Sequence, residues 1–553
     1  MKTITPAVPK PIVMKRFYAP KNLVKRFVAK RTRLSALVFG AILAIYMISK
    51  ASSYVKLYPT EAARQKVAET LGANIGVEAI LGIAHHLETV GGYAVWNFLC
   101  LLAAAGAIWA LLIATKTFRG EEDTGRWELL LAGQTSARRA AANALIGLGS
   151  GLLIIFCFLA LSALGISRLH GADLSASACL FFALALMAGA AEFMAVGALA
   201  SQLMPIRSRA AGLSAIVFGV FYMIRLTADT TNAHWLLNVS PLGWIEKLQP
   251  TYNSQPVWLI PIAGFILILC WLTVSLAGRR DLGDATFADK DTDKPHTKLL
   301  GSPLPAAFRL NRSTILGWLG ATGLITLFYG LMTKGAAKAF GTSASFEKAL
   351  KRVADVSRPN TAIEFMGIIF FMTMILVMFY AASSIGRIRQ DEAVGYLDNF
   401  LVRPVSRLRW LGDRAFLAVS VVICAGLLSG LAAWAGEAAQ HNGVAFHSLI
   451  LAGLNAMAPV ILVLGAGIFA LGVRPRLTSV IAYGVVVWSL LIDMLASGLN
   501  LNHWLLDTSV LHQVVLAPAV SPKWSVDLII LIISIGLGLI GAVAFNRRDL
   551  ETE

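Results

Sequence analysis

Twelve long apolar runs, set out as two groups of six, constrain this 553-residue chain more than any other feature. A lipid core about 30 Å thick is crossed by roughly 20 apolar residues, each rising about 1.5 Å in a helix. Runs of that length begin near Leu34, Gly92, Ala140, Ser177, Ala210 and Val257, and again near Ser313, Ala362, Leu411, Phe446, Leu477 and Val526. Backbone polar groups in lipid have no water to bond and must be satisfied within helices. The pattern therefore predicts an all-α polytopic membrane protein with twelve transmembrane helices. Composition agrees: 57% of the residues are hydrophobic and 14% charged, against about 25% charged in soluble chains.

The formal net charge of +17 invites a nucleic-acid reading. Its distribution argues against one. With both termini in the cytoplasm, most Lys and Arg fall in inner loops, which is how basic residues orient a polytopic chain. The five cysteines (Cys100, Cys157, Cys179, Cys270 and Cys424) all fall within predicted spans. They read as small packing residues rather than disulfides or metal ligands. The basic stretch before the first span is too long for a cleavable leader. Residues 1–33 are expected to be cytoplasmic, with a basic amphipathic helix over 21–31 that puts Leu23, Val24, Phe27 and Val28 on one face.

The chain is internally duplicated. RGEEDTGRWELLL at 119–131 aligns with RQDEAVGYLDNFL at 389–401. HWLLN at 234–238 aligns with HWLLD at 503–507, RSR at 207–209 with RPR at 474–476, and RRDL at 279–282 with RRDL at 547–550. All four pairs share a shift of 267 to 270 residues. Six spans per unit is an even number, so both units enter from the same side. This predicts two parallel six-helix repeats (34–282 and 313–553) with pseudo-twofold symmetry, joined by a cytoplasmic linker over 283–312. Outer segments near 55–91 and 334–361 are expected to hold short surface helices. Trp235, Trp244, Trp504 and Trp524 suit an interfacial belt.

No phosphate-binding loop of the form GxxxxGK[ST] and no HExxH zinc motif occurs. His85, His86 and Glu88 read as solvated loop residues, and no catalytic constellation stands out. The repeated charged segment, between the second and third spans of each unit, resembles the cytoplasmic coupling helix of ABC-2-type exporter permeases. The string RxEExxGRxELL is similar to that of the fused twelve-span antibiotic and multidrug efflux permeases of actinobacteria. The second copy departs from it, with Tyr396 for Arg126 and Asn399-Phe400 for Leu129-Leu130.

The resemblance implies that Arg119, Glu121, Glu122, Gly125, Arg126 and Glu128, with Arg389, Asp391, Glu392, Gly395 and Asp398, couple the chain to ATPase subunits. The carboxylates would pair with basic groups in a groove of the ATPase, and the glycines would permit a tight turn or close approach. Topology alone asks only for Lys and Arg, so acids repeated at matched positions need another reason. The departures in the second copy predict that Glu122→Ala is the more damaging of Glu122→Ala and Glu392→Ala.

Ionisable groups inside spans are functional candidates because lipid makes them costly. Glu192, Arg225 and Asp493 stand out. Arg225 and Asp493 are 268 apart, the repeat shift, and an ion pair between them across the two units is one expectation. Solitary snorkelling of Arg225 is the other. Glu192 either meets a cationic cargo or hydrogen-bonds within the bundle.

The resemblance implies the membrane subunit of an ATP-binding-cassette exporter in the cell membrane. It would move hydrophobic or amphipathic compounds between the units along spans two, five, eight and eleven. Two copies of a separate nucleotide-binding ATPase would carry the ATP and Mg, and this chain would bind no cofactor of its own. An ion-coupled twelve-span secondary transporter is the alternative. It needs a basic loop between spans two and three, where this chain has an acidic one.

Overall fold

Eleven of the apolar runs each become one long helix, and the tenth becomes two, because helical hydrogen bonding is the only local way to satisfy a backbone in lipid. In the computed structural model the described residues are 22–71, 81–131, 136–169, 172, 174–230, 233–281, 283–287, 298–340, 361–402, 404–440, 443–496 and 502–551. Most of the 283–312 linker's polar part, much of the 334–361 outer segment, and Lys21 and Arg403 lie outside them. Twelve helices are long and apolar enough to cross a membrane. The first six are α1 (Leu23–Leu57), α2 (Val90–Thr115), α3 (Ala137–Ile166), α4 (Ala176–Leu203), α5 (Arg207–Thr230) and α6 (Leu259–Ala277). The second six are α7 (Pro303–Phe340), α8 (Thr361–Ala393), α9 (Arg407–Gln440), α10 (Ala458–Val473), α11 (Thr478–Ala496) and α12 (Trp524–Arg547). No strand occurs among the described residues.

The amphipathic segment before the first span is not a separate helix. It is the first three turns of α1, a 35-residue helix that is about 52 Å long at 1.5 Å per residue. Val24 and Val28 are buried. They sit on α3 where Gly147 leaves room: a Cβ there would stand 2.8 Å from Val28 Cβ and 3.0 Å from the Lys25 carbonyl oxygen. Small residues allow this close approach, which drives helix association in lipid.

Small residues also place the fourth span of each half, but against different partners. In the first half α4 presses on α2, where a Cβ on Gly189 would lie 2.8 Å from the Ala103 carbonyl oxygen and one on Gly197 2.9 Å from that of Leu111. In the second half the fourth span presses on α12 instead: a Cβ on Gly541 would meet Phe469 Cα at 2.6 Å, and one on Gly465 would meet Ser534 Cα at 2.9 Å. The second-half span is also broken. Phe446–Asn455 and Ala458–Val473 are separate helices. Pro459, near the start of α10, has no amide hydrogen to continue the earlier ladder.

Among the outer loops, Glu61–Leu71 is a short helix, as are Pro241–Lys247 and His503–Leu506. Trp235, Trp504 and Trp524 are exposed, as a belt at the lipid–water boundary requires. The five cysteines are all free thiols.

Candidate functional site

At its C-terminal end α2 passes through a single π turn (Lys116–Gly120) into Glu121–Asp123 and then turns sharply. Gly125 makes the turn with φ +71°, and its amide donates to the Glu122 carbonyl at 2.9 Å. A short helix, Arg126–Leu131, follows. The second copy turns the same way. Gly395 has φ +78°, its amide donates to the Glu392 carbonyl at 3.0 Å, and Tyr396–Leu401 follows. A Cβ at Gly125 would meet nothing within 4 Å. The glycine is needed for its left-handed backbone and not for close approach.

Behind each turn one glutamate is clasped by one arginine. Arg280, just past the end of α6, donates from Nη1 and Nη2 to Glu122 Oε1 and Oε2, both at 2.7 Å. The Gly283 amide adds a third bond to Oε1 at 2.9 Å. In the second half Arg548, just past α12, donates to Glu392 Oε1 and Oε2 at 2.6 and 2.7 Å, and the Glu551 amide to Oε1 at 3.3 Å. A fork of this kind is the strongest geometry available to a carboxylate and a guanidinium. Arg119 supports the first clasp. Wholly buried, it lies 3.3 Å from Glu122 and donates to the carbonyls of Pro205, Gly283 and Asp284, each at 2.8 Å. Arg389 stands 3.4 Å from Glu392 and donates to the Glu551 carbonyl at 2.9 Å.

The neighbouring acids are also engaged, with less similarity between copies. Buried Glu121 lies 3.0 Å from both Arg31 of α1 and Arg126. Asp391 is held by Arg414 of α9 at 3.1 Å. Asp123 accepts from the Arg207 amide at the start of α5, at 2.9 Å. Glu121, Glu122, Asp391 and Glu392 therefore do not stand free for a groove on another subunit. They fasten the turn to the chain's own helices, since a nearly buried carboxylate must find an internal cation. Around the two turns the exposed residues are Asp123, Thr124, Arg126, Glu128 and Leu129 in the first copy and Val394, Tyr396, Asp398, Asn399 and Val402 in the second, with Leu129 78% and Val402 89% exposed.

The outer end departs from the expected pair. Arg225 does not reach Asp493. It lies 2.8 Å from Asp229, one turn on, and 3.3 Å from Glu246 of the Pro241–Lys247 helix. Glu246 also accepts from the Ile83 amide at 3.2 Å. Asp493 accepts from Ser509 at 3.3 Å and stands 3.9 Å from His512. Arg225 is met by Asp229 on its own helix and by Glu246 in the loop that follows, and Asp493 by the loop after its span, which removes any need to pair across the halves. Glu192 is fully buried within the first-half core, and neither carboxyl oxygen has a hydrogen-bond partner among the described residues. The expected hydrogen bond within the bundle is not made.

A match over nearly the whole length accompanies this geometry. The family described as "Multidrug efflux system permease Rv1217c, C-terminal domain" matches residues 61–274 and 300–546. The chain belongs to this permease family. It is also 26% identical, over 541 residues, to the "Multidrug efflux system permease protein Rv1217c" of Mycobacterium tuberculosis, covering 95% of this chain and 94% of that one.

In this permease-family chain, sequence reasoning located the turns but not their clasps. The signal was present, because RRDL at 279–282 and 547–550 recurs at a shift of 268, within two residues of the shift of the glutamates it serves. Asp229 and Glu246 were also missed. Asp229 lies one turn from Arg225, the spacing of an ion pair on a helix. Glu246, in a loop helix, carries no such mark. His85 is an exposed loop residue as expected, and it also borders a cavity with Glu246 and Tyr252, where desolvation lowers its pKa. Among the described residues no cluster of three potential metal ligands occurs.

Proposed function

We propose that this chain is the membrane subunit of an ATP-driven exporter of drug-like hydrophobic or amphipathic compounds. A separate ATPase docks beneath each of its two charged turns, and the termini lie on that side. The observation that carries the reading is the division of labour in the repeated segment. Its inner acids are clasped to the ends of α6 and α12, while its tip presents an acid and apolar side chains outward. Such a tip suits a partner's shallow groove, and the clasp makes it a stiff lever. Movement of the Arg126–Leu131 helix must then move α2, α6 and, through Arg31 and Arg207, α1 and α5. The name of the Mycobacterium tuberculosis relative supports the efflux direction, and the matching clasps support two repeats around a pseudo-twofold axis. This reading makes Glu128 and Asp398, with Leu129 and Val402, the docking residues, and gives Glu122 and Glu392 a transmitting role.

The test is co-purification with a candidate nucleotide-binding ATPase subunit, followed by ATP hydrolysis with and without drug. A stable complex whose hydrolysis rises several-fold with drug is expected. Absence of any complex overturns the proposal.

A further inference from the structure

At the outer end of the first half lies a cavity of about 220 Å³. Val95, Trp96, Leu99 and Cys100 of α2 form one wall, and Glu246 and Tyr252 face them from the loop before α6. The segment after Leu81 closes over it and is pinned at two points. Trp96 Nε1 donates to the Gly82 carbonyl at 3.1 Å, and Glu246 accepts from the Ile83 amide. The space is below the roughly 300–1,000 Å³ of pockets that swallow whole drugs. It is sized for one ring system.

The duplication supplies a control. Along the same helix, at the shift of 270 set by the charged turn, Val95, Trp96, Leu99 and Cys100 become Phe365, Met366, Ile369 and Phe370. Those four are buried in a filled apolar cluster with Ala517 and Leu449. The same shift range from Glu246 reaches 513–516, Gln-Val-Val-Leu, with no acid. Among the described residues the second half buries two phenylalanines at the corresponding place and has no carboxylate at 513–516. The first half keeps space and an acceptor together.

The polar groups around the cavity define what fits. Of the charged groups, Glu246 and Lys247 line the cavity, while Arg225 and Asp229 lie 2.8 Å from each other outside its lining. Lys247 is already spent, bonded to Asn238 and lying 4.6 Å over the Trp258 ring. Glu246 uses one bond on each oxygen, to Ile83 and Arg225, and an ionised carboxylate has about four acceptor positions. His85, His234 and Gln249 also border the cavity, and the remaining walls are apolar and aromatic. We propose that this cavity binds an uncharged aromatic ring bearing a hydroxyl or N–H donor directed at Glu246, as one portion of an amphipathic compound. This names a cargo class for the export reading and rests on that reading only for transport, not for binding.

The test uses the full chain in lipid nanodiscs, without ATPase, titrated calorimetrically with 2-naphthol, 2-methoxynaphthalene and 2-naphthyl-trimethylammonium. Saturable binding of one 2-naphthol per chain is expected, at least tenfold tighter than either comparison compound. Val95→Phe and Cys100→Phe, which import the second half's residues, should each weaken 2-naphthol binding at least tenfold while elution volume and melting temperature stay at wild-type values. If one variant does not fold, the other gives the reading. Identical heats in wild type and a folded variant mean partition into lipid alone and overturn the proposal, as does tighter binding of the ammonium compound. Loss of the ATPase complex would sink the export reading and leave this one standing.

Discussion

At their inner ends α2 and α8 carry Glu122 and Glu392, each holding two bonds from one arginine and a third from a backbone amide. At their outer ends the same helices carry Val95 and Cys100 beside a cavity in one half, and Phe365 and Phe370 in a packed core in the other. One duplicated helix is thus held to one design at one end and released from it at the other. On the proposed function, a joint that meets an ATPase twice must keep its form in both copies. A surface that meets single cargo molecules has no such demand.

The comparison breaks first at the clasps. Glu122→Ala leaves Arg280 and buried Arg119 without their carboxylate, and Glu392→Ala does the same to Arg548. Removing one partner of a buried pair costs about 3–5 kcal/mol. Both variants are expected to lose most drug-stimulated hydrolysis and to melt lower by similar amounts in detergent. The near-identical bonding removes the reason to expect Glu122 to matter more. A melting loss confined to Glu122→Ala would show that only one clasp bears load.

Arg225→Met should come next. It strands Asp229 and Glu246, at about 3 kcal/mol for an uncompensated buried charge, whereas Asp493→Asn should cost under about 1 kcal/mol. The double variant should be additive within about 0.5 kcal/mol, as for sites without contact. A larger coupling would restore the cross-half pair. Smaller again, Gly125→Ala and Gly395→Ala should each cost about 1–2 kcal/mol through the left-handed backbone alone, read as equal shifts in chemical unfolding.

Much of this was legible in the sequence. The twelve spans follow from apolar length, because lipid leaves the backbone no alternative; nine starts fall within several residues of the helices seen, while α1 and α7 begin ten or more residues before their apolar runs and the tenth span is broken after Asn455. The turns at Gly125 and Gly395 followed from the repeat. The clasps did not, since Glu122 and Arg280 are 158 residues apart and periodicity says nothing about contacts at that range. The Arg225–Asp493 expectation failed for a related reason. The shift showed that their positions correspond, but corresponding positions need not touch. The cavity left no sequence mark until the second half's phenylalanines stood beside it.

The docking tips are tested most directly by native mass spectrometry of the permease with its ATPase. The wild type should carry two ATPase copies. Leu129→Asp, on an exposed side chain that should change stability by no more than about 0.5 kcal/mol, should leave one copy, as should Val402→Asp, and the double variant none. Two copies retained by the folded double variant would contradict the assignment of these tips as the docking surface.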